Sequence, residues 1–124
     1  MSNVVLARNF KAEAAIGANL IVKHGAADGN ALQAAAVGDK LIGVSTDVAS
    51  LINERADVII EGIADVIYGG AVTRGDLLTT DANGKAVTAA PAAGVNNSVL
   101  GRALVSGVLN DIGQVIISVG SVQG

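Results

Sequence analysis

The sequence predicts an all-β protein: a small pseudo-symmetric barrel or sandwich built from a duplicated unit, with an extended N-terminal arm and at most one short helix. Three observations carry this. Short apolar runs, several rich in Val and Ile, recur along the chain and are mostly bounded by Gly, Asn or Asp, the pattern of strands joined by tight turns. Four blocks of residues recur in the same order in the two halves. Only one stretch has a helical pattern, and it spans two turns at most.

The strands follow in order as Leu20–Lys23, Leu41–Thr46, Val58–Glu61, Val66–Tyr68, Leu77–Thr80, Val99–Val105 and Val115–Val119. Asp28-Gly29 and Asn83-Gly84 lie between strands and supply the positive-φ positions that hairpin turns need. Pro91 falls in a longer connection, where no ladder N–H is required. The Ala-rich segments Ala12–Ala18 and Ala31–Val37 have helical propensity, but Gly on both sides and the repeat argue for extended backbone. The helical stretch is Asp47–Arg55, with Asp47 as N-cap.

The repeat rests on four alignments. Gly29-x-Ala31-Leu32-x-Ala34-Ala35 matches Gly84-x-Ala86-Val87-x-Ala89-Ala90. Leu41-Ile42-Gly43 matches Val99-Leu100-Gly101. Upstream, Gly17–Ile21 pairs with Gly75–Leu78, and downstream Ala56–Glu61 pairs with Gly113–Ser118. The copies run from about 17 to 62 and from about 75 to 120, in a single β-domain of residues 17–124 preceded by an arm of residues 1–16. Two copies of so long a unit indicate a duplicated supersecondary element, since a solenoid needs at least three repeats.

Composition narrows the function. The 124 residues contain no Cys and no Trp, one Phe, one Tyr and one His. That excludes a disulfide framework, a thiolate metal site and any two-histidine metal site. No nucleophile elbow or phosphate-cradling loop is present. Residues 2–24 carry Arg8, Lys11 and Lys23 against Glu13, a sum of +2; the net charge is −3, so the remainder carries −5. An acidic body without aromatic platforms disfavours nucleic acid. No window of about 18 apolar residues exists, and no signal-peptide layout opens the chain, so the reading is a soluble, unsecreted protein without membrane contact. No cofactor is expected.

Two motifs in Arg74–Pro91 invite sharper readings. Arg74-Gly75-Asp76 spells an adhesion tripeptide, and Asp81-Ala82-Asn83-Gly84 resembles half a calcium loop. The first runs directly into a strand. The second places Lys85 where a ligand belongs and Ala92 where a bidentate Glu belongs. A β-hairpin accounts for both. His24 reads as the end of a strand before the Gly25 turn.

Gly75-Asp76-Leu77-Leu78, Asp81–Val87 and Leu100-Gly101-Arg102-Ala103-Leu104, with Gly43-Val44-Ser45 and Gly62–Val66, resemble the capsid cement (head decoration) proteins of tailed bacteriophages. The resemblance covers most of the chain and implies a β-clip or β-tulip-like fold. It also implies a non-enzymatic virion protein, made in the bacterial host cytoplasm, that binds the outer surface of the expanded capsid. There it would bridge and stabilise major capsid subunits, commonly as a homotrimer. Other virion roles, such as a head fibre base or tail component, and a small enzyme or subunit on a β-clip fold remain as alternatives. Such proteins often add an N-terminal arm to the shell contact. Here Val4, Val5, Leu6 and Phe10 would be its apolar anchors, with Arg8 and Lys11 as a charged flank. The competing reading takes Val4–Leu6 as merely the first strand of the domain itself.

Overall fold

The computed structural model describes residues 3–124, and none of these is helical. Nine strands form one mixed sheet: β1 (Asn3–Ala12), β2 (Ile21–His24), β3 (Asn30–Gln33), β4 (Leu41–Ser45), β5 (Arg55–Ile67), β6 (Leu77–Thr80), β7 (Ala86–Thr88), β8 (Asn96–Ala103) and β9 (Ile112–Gln123). Their order is β1-β3-β2-β4-β5-β9-β8-β6-β7, with β1 also paired to β5. That extra pairing closes β1, β3, β2, β4 and β5 into a five-stranded ring. The all-β expectation holds, and the expected strands Val58–Glu61 and Val66–Tyr68 fuse, apart from Tyr68, into the single long β5.

The duplication is visible in the order itself. Read from either end, β3-β2-β4-β5 matches β7-β6-β8-β9. The registers match too. Val22 faces Gly43 as Leu78 faces Gly101, and Val44 faces Ile59 as Arg102 faces Ile116. Gly29 and Gly84 turn with φ of 77° and 74°. A methyl group on Gly43 would overlap the carbonyl oxygen of Ile59, and one on Gly101 that of Ile116. Both glycines exist because a neighbouring strand crosses there without room for a Cβ.

The structure corrects the extent of the repeat. Ala7, Arg8, Asn9, Phe10 and Lys11 pair with Ile59, Val58, Asp57, Ala56 and Arg55; Ile63, Ala64, Asp65, Val66 and Ile67 pair with Ile116, Val115, Gln114, Gly113 and Ile112. The N-terminal segment is therefore the first strand of copy one, equivalent to the C-terminal half of β5. Ala12 meets Ala31 in parallel, as Tyr68 meets Ala86, so the second ring closes like the first. The protein is two small fused barrels that share β5. The upstream alignment also shifts. Gly75, at φ 93°, is equivalent to Asn19, at φ 55°, and not to Gly17. Asn is one of the few other residues that enter this region readily.

Each barrel holds one aromatic. Phe10, Ile16, Val22, Ala31, Ile42 and Val58 form one core cluster, and their counterparts Val66, Val72, Leu78, Ala86, Leu100 and Val115 lie in the other. Where copy one has Phe10 and Ala12, copy two has Val66 and Tyr68. Large and small residues have exchanged places along one strand, which keeps the barrel filled. Gly113 makes room for the Tyr68 ring, whose hydroxyl donates to the Val105 carbonyl at 2.7 Å.

The expected helix at 47–55 is absent. Ser50 bridges to Ile16, and Gly107 to Val72 in copy two. Asn53 and Asn110 then turn the chain at φ 69° and 68°. Backbone bonds from Asn53 to Ala12 and from Asn110 to Tyr68 hold these loops to the barrel, so tertiary pairing overrides a weak local propensity.

Candidate interaction surface

The residues expected to form an arm divide into two groups. Val4, Val5 and Leu6 are 44%, 72% and 45% exposed, at the N-terminal end of β1, where the backbone pairs with Glu61, Gly62 and Ile63 of β5. Phe10 is 4% exposed, inside the first barrel. Its ring is the domain's own core and carries Arg8 above it, 4.9 Å from the centroid. Lys11 is exposed but sits between Arg55 and Asn30 in the sheet. The side chain expected to anchor a partner is thus spent on the fold, while the aliphatic side chains at the end of the strand are exposed.

The two suggestive motifs also become turns. In Arg74-Gly75-Asp76, the Asp76 carboxylate accepts from the Thr73 N–H and the Thr88 hydroxyl, each at 3.0 Å. Gly75 N–H donates to Ala103 at 2.7 Å. Asp81 accepts from the N–H groups of Asn83 and Lys85 at 2.8 and 2.9 Å, so its carboxylate closes the β6–β7 hairpin. In copy one the matching turn is capped from the other side. Glu13 accepts from Ala26 N–H and from Asn30 Nδ2 at 2.8 Å, and Gly25 and Gly69 leave space for these two carboxylates. The Asn30 side chain, then the Ala26 N–H, hold the Glu13 carboxyl below its ordinary range.

His24 shares its surroundings with two charged residues, Arg8 and Glu61. It ends β2 and lines an open groove of about 530 Å³ with Phe10, Leu41, Ile42, Ile60 and Ile117 among its walls. A second groove of about 290 Å³ holds Val4, Ala7 and Ile59 beside Asp47, Asp57 and Asp65, and Asp57 accepts from Asn9 at 3.1 Å. Among the described residues, no group of three or more His, Asp or Glu is arranged to hold a metal ion.

The surface feature that sequence reasoning missed lies in the loop expected to be helical and in its counterpart in copy two. Val48, Leu51 and Ile52 are 68%, 66% and 60% exposed, and Val105, Val108 and Leu109 are 38%, 60% and 58% exposed. By the register these are equivalent positions. The signal was in the sequence: Val48-Ala-Ser-Leu51-Ile52-Asn53-Glu54 aligns with Val105-Ser-Gly-Val108-Leu109-Asn110-Asp111. Reading the first as an amphipathic helix hid it.

No family model matches the chain, and no curated protein matches it by sequence. Among solved structures, the crystal structure of the head fiber gp8.5 N base of bacteriophage phi29 superposes with a TM-score of 0.67 at 18% identity, covering 91% of this chain and 93% of that one. The two share a fold. The likeness spans both barrels, so the arrangement around β5 is common to a phage head fibre base.

Proposed function

We propose that this chain is a non-enzymatic virion protein of a bacteriophage, carried on the outer surface of the expanded capsid, where it bridges and stabilises major capsid subunits as a homotrimer. The observation that supports this reading is the likeness of its whole double barrel to a head fibre base, joined to the resemblance of the Gly75–Leu78, Asp81–Val87 and Leu100–Leu104 motifs to capsid cement proteins. The aliphatic end of β1, with Val4, Val5 and Leu6, is the first contact surface, and Arg8 and Lys11 form its charged flank. Phe10 acts behind it by fixing the strand. A protein that binds only the expanded shell stabilises that shell by about RT ln(1 + [L]/Kd) per site, and many sites multiply a small local gain.

A second reading, the base of a head fibre, is favoured by the structural neighbour, which is itself a head fibre base. The test is co-sedimentation with procapsids and with expanded heads, followed by a map of the decorated heads. Binding to expanded heads alone, with trimeric density between capsid subunits over the whole lattice, is expected. Density confined to sparse fibre positions would select the second reading. A folded protein that binds neither particle would end both.

A further inference from the structure

We infer that the two aliphatic loop tips, Val48/Leu51/Ile52 and Val105/Val108/Leu109, are twin contact points that engage two equivalent apolar sites on a repeating protein surface. The inference deepens the capsid-surface reading and rests on it for the identity of that surface.

Three observations lead here. The first is equivalence. The two copies have diverged at most positions, including the placement of their aromatics and of their turn-capping acids. Yet both keep aliphatic residues at the same three exposed loop positions. An exposed loop tip accepts almost any polar residue, and burial within the monomer does not explain Val, Leu and Ile there.

The second is placement. The first tip is tied to the start of β5, through Glu54 bonded to Ala12 beside Arg55. The second is tied to the other end, through Asp111 bonded to Tyr68 after Ile67. β5 has 13 residues, so the tips stand up to about 40 Å apart at ~3.3 Å per residue. They flank a strand shared by both barrels, with no linker between them.

The third is area. Each tip offers on the order of 300 Å² of apolar surface, the size of an ordinary monomer patch. A stable complex buries about 800 Å² per partner. A single tip is too small to hold a second copy of this chain end to end. Two tips at fixed spacing bind a partner that presents the same site twice, because the second contact forms at high effective concentration. A lattice of identical subunits meets that requirement.

The test uses the full chain and expanded phage heads stripped of surface proteins. Leu51→Asp with Ile52→Asp disables one tip, Val108→Asp with Leu109→Asp the other. These side chains are exposed, so melting temperatures should stay near the parent value. Either disabled tip should weaken head binding by roughly 100-fold or more, as loss of avidity does, and by a similar factor for the two tips. Unchanged binding of both variants, or a loss from one tip alone, would overturn the twin-contact assignment while leaving the capsid-surface reading in place. Parent protein that fails to bind heads would remove that reading and this one together. Self-association of the free protein that vanishes with either tip variant would overturn the assignment in favour of a second copy as the partner.

Discussion

Phe10→Ala should cost the protein its fold stability before it costs any contact with a partner. The ring is 4% exposed and packs in the first barrel with Ala12, Ile16, Val22, Ala31, Ile42, Ala56 and Val58. No other aromatic is available to that barrel, and three of these neighbours, Ala12, Ala31 and Ala56, are alanines, which cannot expand into the void. Truncation of a buried Phe costs about 3–5 kcal/mol, and the cation–π contact with Arg8 adds about 0.5–1 kcal/mol. At about 2.1 cal/mol/K per residue, a chain of 124 residues unfolds with an entropy of roughly 0.26 kcal/mol/K. A loss near 4 kcal/mol then lowers Tm by about 15 °C. Thermal melts followed by circular dichroism read this directly. Val5→Ala is the control: its side chain is 72% exposed, and Tm should move by no more than a couple of degrees. If Phe10→Ala melts within about 3 °C of the parent, the ring is not part of the core, and the assignment of β1 to the first barrel fails.

Further expectations follow from the same geometry. Gly43→Ala and Gly101→Ala should both destabilise strongly, by similar amounts, because each added methyl meets a strand carbonyl; Gly120→Ala, with open space around it, should be near neutral in the same melts. Thr79 holds a buried hydroxyl with no hydrogen-bond partner among the described residues, so Thr79→Val should raise stability by about 1 kcal/mol in urea titrations; a loss of that size would reveal a partner. Glu13 and Asp39 should make the fold acid-sensitive. For Asp39, burial opposes ionisation, but the N–H groups of Ala35 and Ala36 and the nearby Lys23 outweigh it, and the carboxyl lies below its ordinary range. Both groups have depressed pKa values when folded, so their contribution is full above about pH 5, clear of the unfolded values, and is lost as pH falls through the folded values. Glu13→Gln with Asp39→Asn should flatten the pH dependence of Tm below about pH 5, and an unchanged slope would count against these caps.

The strands that were legible in the sequence are those whose side chains meet apolar surroundings throughout. β4 is buried at all five positions and reads as a continuous apolar run. β6 and β8 follow from the repeat. The turn at Asn83-Gly84 was readable because its chemistry is local. What could not be read was set by distant pairing. β1 is exposed at every position up to Asn9, so its sequence has no alternation, and a buried Phe looks the same as an exposed anchor. Asn19 escaped alignment with Gly75 because the shared property is a backbone angle and not a residue type. The loop tips were hidden because Asp47–Arg55 satisfies helical propensity over two turns, while the bridge from Ile16 to Ser50 depends on residues far upstream. The sheet order itself needed the structure, although its near-palindrome follows once the duplication is accepted.

The strand that serves both barrels has a consequence for synthesis. β1 finds its long partner only in residues 55–63, so the first barrel stays open until the ribosome has delivered that segment. The next residues of the same strand, Ile63–Ile67, then wait for Ile112–Ile116. Both closures span on the order of 50 residues, a separation that slows folding and leaves strand edges unpaired in the meantime. Because one continuous backbone crosses from the finished half into the unfinished one, the first barrel presents the second with its opening strand already in register, and the nascent chain needs to solve the pairing problem only once.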